Sequence, residues 1–306
     1  MELEKLRESL KREPEEFIAR CDEEYRTSVR CAAMAVAVSR SPAVLLAGPS
    51  GSGKTTTSML LEKTLGNMGI RCHHVSMDDY FLDVSPETTP RTPEGDYDFE
   101  SFGCVDGELL RKHFDDVEAG RPIDVPKFNF ALHKRDGIRT HLVPGKGDIV
   151  IFEGIHAFNP MIIGRHEAAV KMIASPMTGL TLNGEEYISP RDTRLIRRIV
   201  RDAHYRGNPA AETLSIWRNV VRAEDSVLKS QWEGAHIRID TSIPYEYGVF
   251  AASAPEILGA VTAENKFYRE AEDLERRLSS VPRLDEKEVP PDSLVREFIG
   301  GGVYEY

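Results

Sequence analysis

Apolar residues repeat along this chain with two periods, and the switch between them divides it into elements. Leu3, Leu6 and Leu10 fall at helical spacing and a second such pattern runs from Phe17 to Val38, so residues 1–40 are predicted to be helical. Ala43 to Ala47 read AVLLA, an unbroken apolar run that ends in a glycine-rich turn, as a strand buried on both faces does. A helix is expected from Lys54 to Leu65, closed by Gly66 and Gly69, and then a strand from Arg71 to Ser76. Beyond a Pro- and Asp-rich loop at 83–98, the pattern predicts a helix over 107–119 and a short strand or loop at 125–130. Residues 138–143 look like the arm of an edge hairpin. Asp148 to Phe152 (DIVIF) is a second buried strand and 169–173 a third candidate. Helices over 190–205 and 210–232, a short strand at 236–239, a helix over 264–278, a Pro-rich segment and a tail reading GGGVYEY complete the chain.

Strand and helix alternate from residue 43 onward, which predicts an α/β fold with a mostly parallel sheet and helices on both faces. With 306 residues the chain is long enough for one large α/β domain with appendages. At 41% hydrophobic and 29% charged residues its composition is that of a globular protein. A formal net charge of -11 disfavours sequence-independent nucleic-acid binding, which needs a surface of phosphate-neutralising cations. The four cysteines lack metal-ligand spacing and read as reduced thiols. The longest apolar run, Ala32 to Val38, falls far short of the roughly 20 residues a membrane span needs, and the first residues are charged where a signal peptide would be apolar. The expectation is a soluble cytoplasmic protein.

Residues 48–55, GPSGSGKT, fit G-x-x-x-x-G-K-S/T between an apolar strand and a helix start. In such a loop the glycines let backbone N–H groups curl around phosphate oxygens, and the helix dipole adds positive potential. Lys54 would reach the β and γ phosphates, and the Thr55 hydroxyl would ligate Mg²⁺. Phosphate chemistry in parallel sheets is completed at the C-terminal ends of other strands. Asp78 and Glu153 both stand there: one carboxylate would hold the metal and the other accept a proton from an attacking hydroxyl. Arg194, Arg197, Arg198 and Arg201 make one helix face basic, while Leu195, Ile196, Ile199 and Val200 make another apolar. That stripe reads either as a lid that stabilises a transferring phosphoryl group or as a solvated face paired with Asp192 and Asp202, and Arg206 fits either. Phe128, Phe130, His133 and Arg135 form a cluster able to stack a ring and bond its edge, or alternatively a piece of ordinary core. His73 and His74 are assigned no chemistry.

GPSGSGKTT at 48–56, SMDDYF at 76–81, DYDF at 96–99, PKFNFALHKR at 126–135, IFEGIHAF at 151–158 and DTRLIRRIVRDAHYRG at 192–207 occur in order. Together they resemble the uridine kinase and phosphoribulokinase family of P-loop kinases, more closely its uridine kinase branch, over roughly residues 44–206. YISPRDTRLIRRIVRD and PPDSLVREFIGGGVYEY look especially like a bacterial group of longer, uridine-kinase-related nucleoside kinases. The resemblance implies a P-loop kinase domain over 41–250 with a lid at about 190–208, flanked by a helical extension at 1–40 and a helical extension and tail at 251–306. The extension at 1–40 is read from the apolar spacing of those residues, and the resemblance implies ATP and Mg²⁺ as cofactors. Gly48, Ser50, Gly51, Ser52, Gly53, Lys54, Thr55 and Thr56 would bind the nucleotide, and Thr55 and Glu153 the metal. Asp78 would be the base acting on a 5'-hydroxyl, with Lys54, Glu153, Arg198 and Arg201 completing the catalytic set. The acceptor would meet Asp78, Asp98, Phe128, His133, Arg135 and Arg206, with Asp98 on ribose hydroxyls and His133 on the base edge.

This sequence departs from the uridine kinase pattern at Phe128, where a Tyr is usual, and at Asn208, where an Arg commonly follows the R-G pair; residues 174–190 are also longer. Three readings follow. The first is an ATP:nucleoside 5'-phosphotransferase whose partner is a small-molecule acceptor, with no nucleic acid or membrane and with room for a homo-oligomer. The second is the same chemistry on a sugar, polyol or vitamin-like alcohol. The third is an NTP-binding regulatory protein, supported by the two helical ends.

Overall fold

The two unbroken apolar runs lie side by side at the centre of a parallel sheet in this computed structural model, which describes residues 1–163 and 169–304, with side chains except at 163 and 226–231. The strands are β1 (Ala43–Ala47), β2 (Cys72–Ser76), β3 (Ile123–Asn129), β4 (Lys134–Leu142), β5 (Ile149–Glu153), β6 (Val170–Ser175), β7 (Leu180–Leu182), β8 (Glu185–Ile188) and β9 (Ile237–Asp240). The helices are α1 (Leu3–Arg12), α2 (Pro14–Ser39), α3 (Lys54–Asn67), α4 (Gly107–Glu118), α5 (Pro160–Ile163), α6 (Pro190–Arg201), α7 (Ala210–Gly234), α8 (Glu246–Gly259), α9 (Tyr268–Leu278) and α10 (Arg296–Ile299). The last two residues of the GGGVYEY tail lie outside the described residues.

The main sheet runs β2-β5-β1-β6-β9, every pairing parallel. Successive side chains of a strand point to opposite faces. Val44 and Leu46 of β1 with Ile149 and Ile151 of β5 therefore enter one core, and Leu45 with Val150 and Phe152 enter the other. Both faces must be apolar, which is why AVLLA and IVIF carry no alternation. Helix α4 and the β3–β4 hairpin cover the second face through Leu110, Phe114, Ile123 and Val125. Helices α1, α2, α3, α6, α8 and α9 contribute to the first core.

Residues 1–40 are built into that core: Leu3, Leu6, Phe17 and Val29 are buried there alongside α3 and α8 residues. The Tyr25 hydroxyl of α2 meets Thr57 Oγ1 of α3 at 2.8 Å, and the Met1 amino group donates to the Gly179 carbonyl at 2.9 Å. Of residues 138–143, those up to Leu142 belong to β4 and pair with β3 in a hairpin separate from the main sheet.

Register matters most at the C-terminal ends of the strands. Ser76 of β2 lies opposite Glu153 of β5, and β5 adjoins β1. The turn after β1, the loop after β2 and the last residue of β5 thus open onto one edge of the sheet.

Candidate active site

The turn joining β1 to α3 is the glycine-rich loop, and its conformation excludes side chains at particular points. Gly51 has φ +71° and a Cβ there would lie 2.7 Å from the Arg194 carbonyl; a Cβ at Gly48 would lie 2.5 Å from the Ala174 carbonyl. The carbonyls of this loop are held from outside. Arg194 Nη1 donates to Ser50 O at 3.3 Å, Arg197 Nη1 to Gly51 O at 3.3 Å, and Thr241 Oγ1 to Ser52 O at 2.6 Å. In a trans peptide the N–H lies opposite the C=O. Fixing these carbonyls outward turns the amides of Gly51 and Gly53 inward, as an anion cradle requires, while the Ser52 N–H donates to the Pro49 carbonyl at 3.2 Å within the loop.

The loop forms the wall of a cavity of about 980 Å³ together with Lys54, Thr55, Asp78, Glu153, Phe128, His133, Arg198, Arg201, Arg206 and Asn208. Lys54 Nζ lies 3.9 Å from Glu153 Oε2. Burial works against the Lys54 ammonium, but Glu153, Asp78 and Glu297 more than offset it and raise its pKa above the ordinary lysine value. Burial likewise opposes the Glu153 carboxylate, and Lys54, then His74 and Ser76, overcome it, so its pKa falls below the usual range. His74 Nε2 is 3.8 Å and Ser76 Oγ 3.4 Å from Glu153 Oε1.

Asp78 goes the other way. Its side chain is exposed to the cavity yet surrounded by protein, and this desolvation, reinforced by Glu153 and Asp79 and only partly countered by Lys54, lifts its carboxyl above the aspartate range. Two carboxyls whose environments push their affinities for protons apart can divide acid–base and metal-side roles. Glu153 Oε2 is buried with no hydrogen-bond partner. An anionic oxygen with no hydrogen bond, 3.9 Å from the Lys54 ammonium on a wall that also carries Thr55, suits a hard cation such as Mg²⁺, which takes few protein ligands and completes its shell with water and phosphate. Among the described residues no three His, Cys, Asp or Glu side chains converge on a metal position.

The arginine stripe of α6 is largely buried and paired. Arg194 pairs with Glu224 at 2.7 Å and Arg197 with Glu246 at 2.6 Å, which makes both part of the scaffold holding the loop. Arg198 donates to Ser50 Oγ at 2.9 Å and lies 3.3 Å from Asp202. Arg201 and Arg206 also reach Asp202, at 3.6 and 3.2 Å. After Arg201 the helix widens into a π turn over Asp202–Arg206, which brings Tyr205 and Arg206 onto the same wall.

The far end of the cavity is aromatic. Phe128 packs against Phe81 and Phe130 with ring centroids 5.5 and 5.0 Å away, and His133 stacks on Phe99 at 5.8 Å. His133 occupies the left-handed region, φ 52°, at the hairpin turn. Two expected acceptor residues stand elsewhere. Arg135 turns away to donate to the Phe81 and Tyr80 carbonyls and to Asp106 at 3.1, 3.2 and 3.0 Å, because its strand places it over the backbone after β2. Asp98 is half-buried in its loop, where its carbonyl accepts from Ser101, and does not line the cavity. Gly48 and Thr56 lie beneath the wall; Thr56 is engaged by Glu297.

Several wall residues carry no signal in the local sequence. Arg139 pairs with buried Asp79, which also accepts the Phe128 N–H at 3.3 Å and so fastens the hairpin to the loop after β2. Glu297, Gly301, Gly302 and Tyr304 arrive from the C-terminal segment. His74, which the strand pattern left without a role, faces Glu153. The doubled acid in SMDDYF was the one available hint, for Asp79.

The model of the phosphoribulokinase / uridine kinase family matches residues 44–244. A uridine kinase of Deinococcus deserti is 29% identical over 177 residues, covering 58% of this chain and 76% of that protein. A uridine kinase of Schizosaccharomyces pombe is 29% identical over 177 residues, 58% of this chain but 35% of its own length. Uridine-cytidine kinase 2-B of Danio rerio is 26% identical over 182 residues, 58% of this chain and 64% of its own. The matched span takes in the β1–α3 loop, both acids at the strand ends and the whole of α6, and the chain belongs to the phosphoribulokinase/uridine kinase family of P-loop kinases.

Proposed function

We propose that the chain transfers the γ-phosphate of ATP to a hydroxyl, the 5'-hydroxyl of a nucleoside. The observation that carries this reading is that one cavity of about 980 Å³ has the phosphate loop, two differently tuned carboxyls and an aromatic cluster on its wall, so nucleotide and acceptor share a single chamber. ATP phosphates lie on the amides of Gly51 and of residues 53–56 and on Lys54. Thr55 and Glu153 would hold Mg²⁺, which would supply positive charge to the phosphate oxygens. Asp78, with its raised proton affinity, accepts the acceptor's hydroxyl proton as the oxygen attacks phosphorus. Arg198, Arg201 and Arg206 supply positive charge to the transferring group. Phe128 offers a ring face to the base and His133 a ring nitrogen to its edge.

A second reading keeps this chemistry and replaces the nucleoside by a sugar, polyol or similar alcohol. It is favoured by the Phe128 pocket, which lacks a phenolic hydroxyl, and by Arg135 facing away. Incubation with Mg-ATP and a panel of nucleosides, sugars and polyols, with ADP followed, separates the two: turnover dependent on nucleosides supports the first reading, and turnover with non-nucleosides alone replaces it with the second.

A further inference from the structure

The loop's helix already holds a carboxylate. Thr56 is the third residue of α3, so its N–H is one of the amides that point outward at the helix start; one residue on, Thr57 N–H bonds Gly53 O at 3.0 Å. Glu297 Oε2 accepts that Thr56 N–H at 3.1 Å and the Thr56 hydroxyl at 2.6 Å. The carboxylate is buried, contributes to the wall of the cavity and adds to the negative charge felt by Lys54. A negative group on these donors satisfies the same dipole and the same hydrogen-bonding capacity that a phosphate would use.

The segment that delivers Glu297 is firmly placed. Ser293 Oγ donates to Asp22 Oδ1 at 3.0 Å and bonds the Tyr245 hydroxyl at 2.6 Å, and Leu294, Val295 and Phe298 are fully buried. Leu294 packs against the loop so closely that a Cβ on Gly53 would lie 2.8 Å from its Cδ1. Gly300 to Gly302 then turn back beside Tyr205 and Arg296, and Tyr304 reaches the cavity wall. With so much of the segment fixed, the Glu297 side chain is the part that must yield.

We propose that Glu297 is an internal competitor for nucleotide phosphate: its carboxylate occupies donors at the start of α3 that an incoming phosphate must take over, so this C-terminal residue sets nucleotide affinity. The inference rests on the reading of the loop as the nucleotide site. Two like-charged acceptors cannot share the Thr56 donors, and each nucleotide bound must displace Glu297 from them. Removing its charge therefore tightens binding, whereas a residue that merely braces the fold would leave affinity unchanged or weaken it.

The test is calorimetric titration of Mg-ADP and of tripolyphosphate into the wild type and the Glu297→Gln, Glu297→Ala and Lys54→Ala variants, with melting temperatures recorded alongside. The expected result is a Kd for both ligands about 10-fold lower in Glu297→Ala, a smaller gain in Glu297→Gln, whose amide oxygen still accepts from Thr56, and lost affinity in Lys54→Ala. Binding in the Glu297 variants but not in the wild type also supports the proposal. Wild-type binding that depends on Lys54 while neither Glu297 variant binds tighter overturns the proposal and leaves the nucleotide site standing. Weaker binding in both variants overturns it too, assigning Glu297 to the metal side. Absence of binding in all four proteins overturns the nucleotide site and the proposal together.

Discussion

Arg197 and Glu246 meet at 2.6 Å with neither side chain touching solvent, and the same guanidinium donates to Gly51 O and to Thr241 O. A cation from α6 and an anion from α8 thus jointly fix the phosphate loop. Burial raises the Glu246 pKa and the Arg197 charge with its hydrogen bonds only partly restores the anion, so the carboxylate depends on its partner. Arg197→Met leaves a buried carboxylate unpaired and is expected to destabilise the fold by about 3–5 kcal/mol. Urea denaturation checks this, and the double variant with Glu246→Leu should recover much of the loss.

Lys54→Ala is expected to abolish phosphoryl transfer while the protein still folds. The ammonium lies 3.9 Å from Glu153 on the cavity wall, where its charge acts on phosphate and on the carboxylates. Turnover at saturating Mg-ATP, read beside a circular dichroism spectrum, decides it; near-wild-type turnover would remove the loop from the reaction.

Asp78→Asn is expected to lower turnover roughly 10²-fold or more, the usual scale for loss of a general base, with a much smaller change in ATP affinity. The same substitution should stabilise the protein. A carboxyl whose folded pKa is raised costs stability at all pH values above that pKa, and the cost fades as pH falls and the group takes up its proton. The melting temperature of Asp78→Asn should therefore exceed wild type at neutral pH, with the gap closing toward acid. In the wild type, turnover should fall on the acid side at a higher pH than an ordinary aspartate would give.

The parallel sheet and the loop were legible because both are local signals: apolar runs of four or five residues, and glycines at fixed offsets before a lysine. Helix α8 was not. Its sequence EYGVFAASAPEILG buries Tyr247, Val249, Phe250, Ala251, Ala254 and Leu258, so it has little polar face to set a 3.6 period, and Pro255 within it reads as a break. The β7–β8 hairpin did carry a signal, Asn183-Gly184 with φ 54° and 81°, which the length of the 174–190 segment obscured. The α6 arginines were visible as a stripe, but their partners Glu224 and Glu246 lie 30 and 49 residues away, so spacing could not distinguish scaffold from lid. Arg139, Glu297 and Tyr304 reach the cavity by tertiary packing alone.

The last prediction concerns the acceptor, where this chain departs from the uridine kinase pattern. A site that hydrogen-bonds its ligand rejects analogues strongly, because the wrong one leaves buried polar groups unpaired; a hydrophobic pocket discriminates far less. Phe128 is 5% exposed and held by Phe81 and Phe130, so the position that usually carries a phenolic hydroxyl presents a ring alone. Arg135 is committed to backbone carbonyls, and Asn208 replaces a guanidinium on the wall. His133, stacked on Phe99 at the mouth of the hairpin, is a polar group on this wall able to meet a base edge. Uridine should accordingly not be the best acceptor, and His133→Ala should raise the KM for the true acceptor more than that for ATP. Ranking acceptors by kcat/KM is the measurement. If uridine and cytidine exceed purine nucleosides and non-nucleosides by orders of magnitude, polar groups other than these read the pyrimidine, and the aromatic cluster is not what selects the substrate.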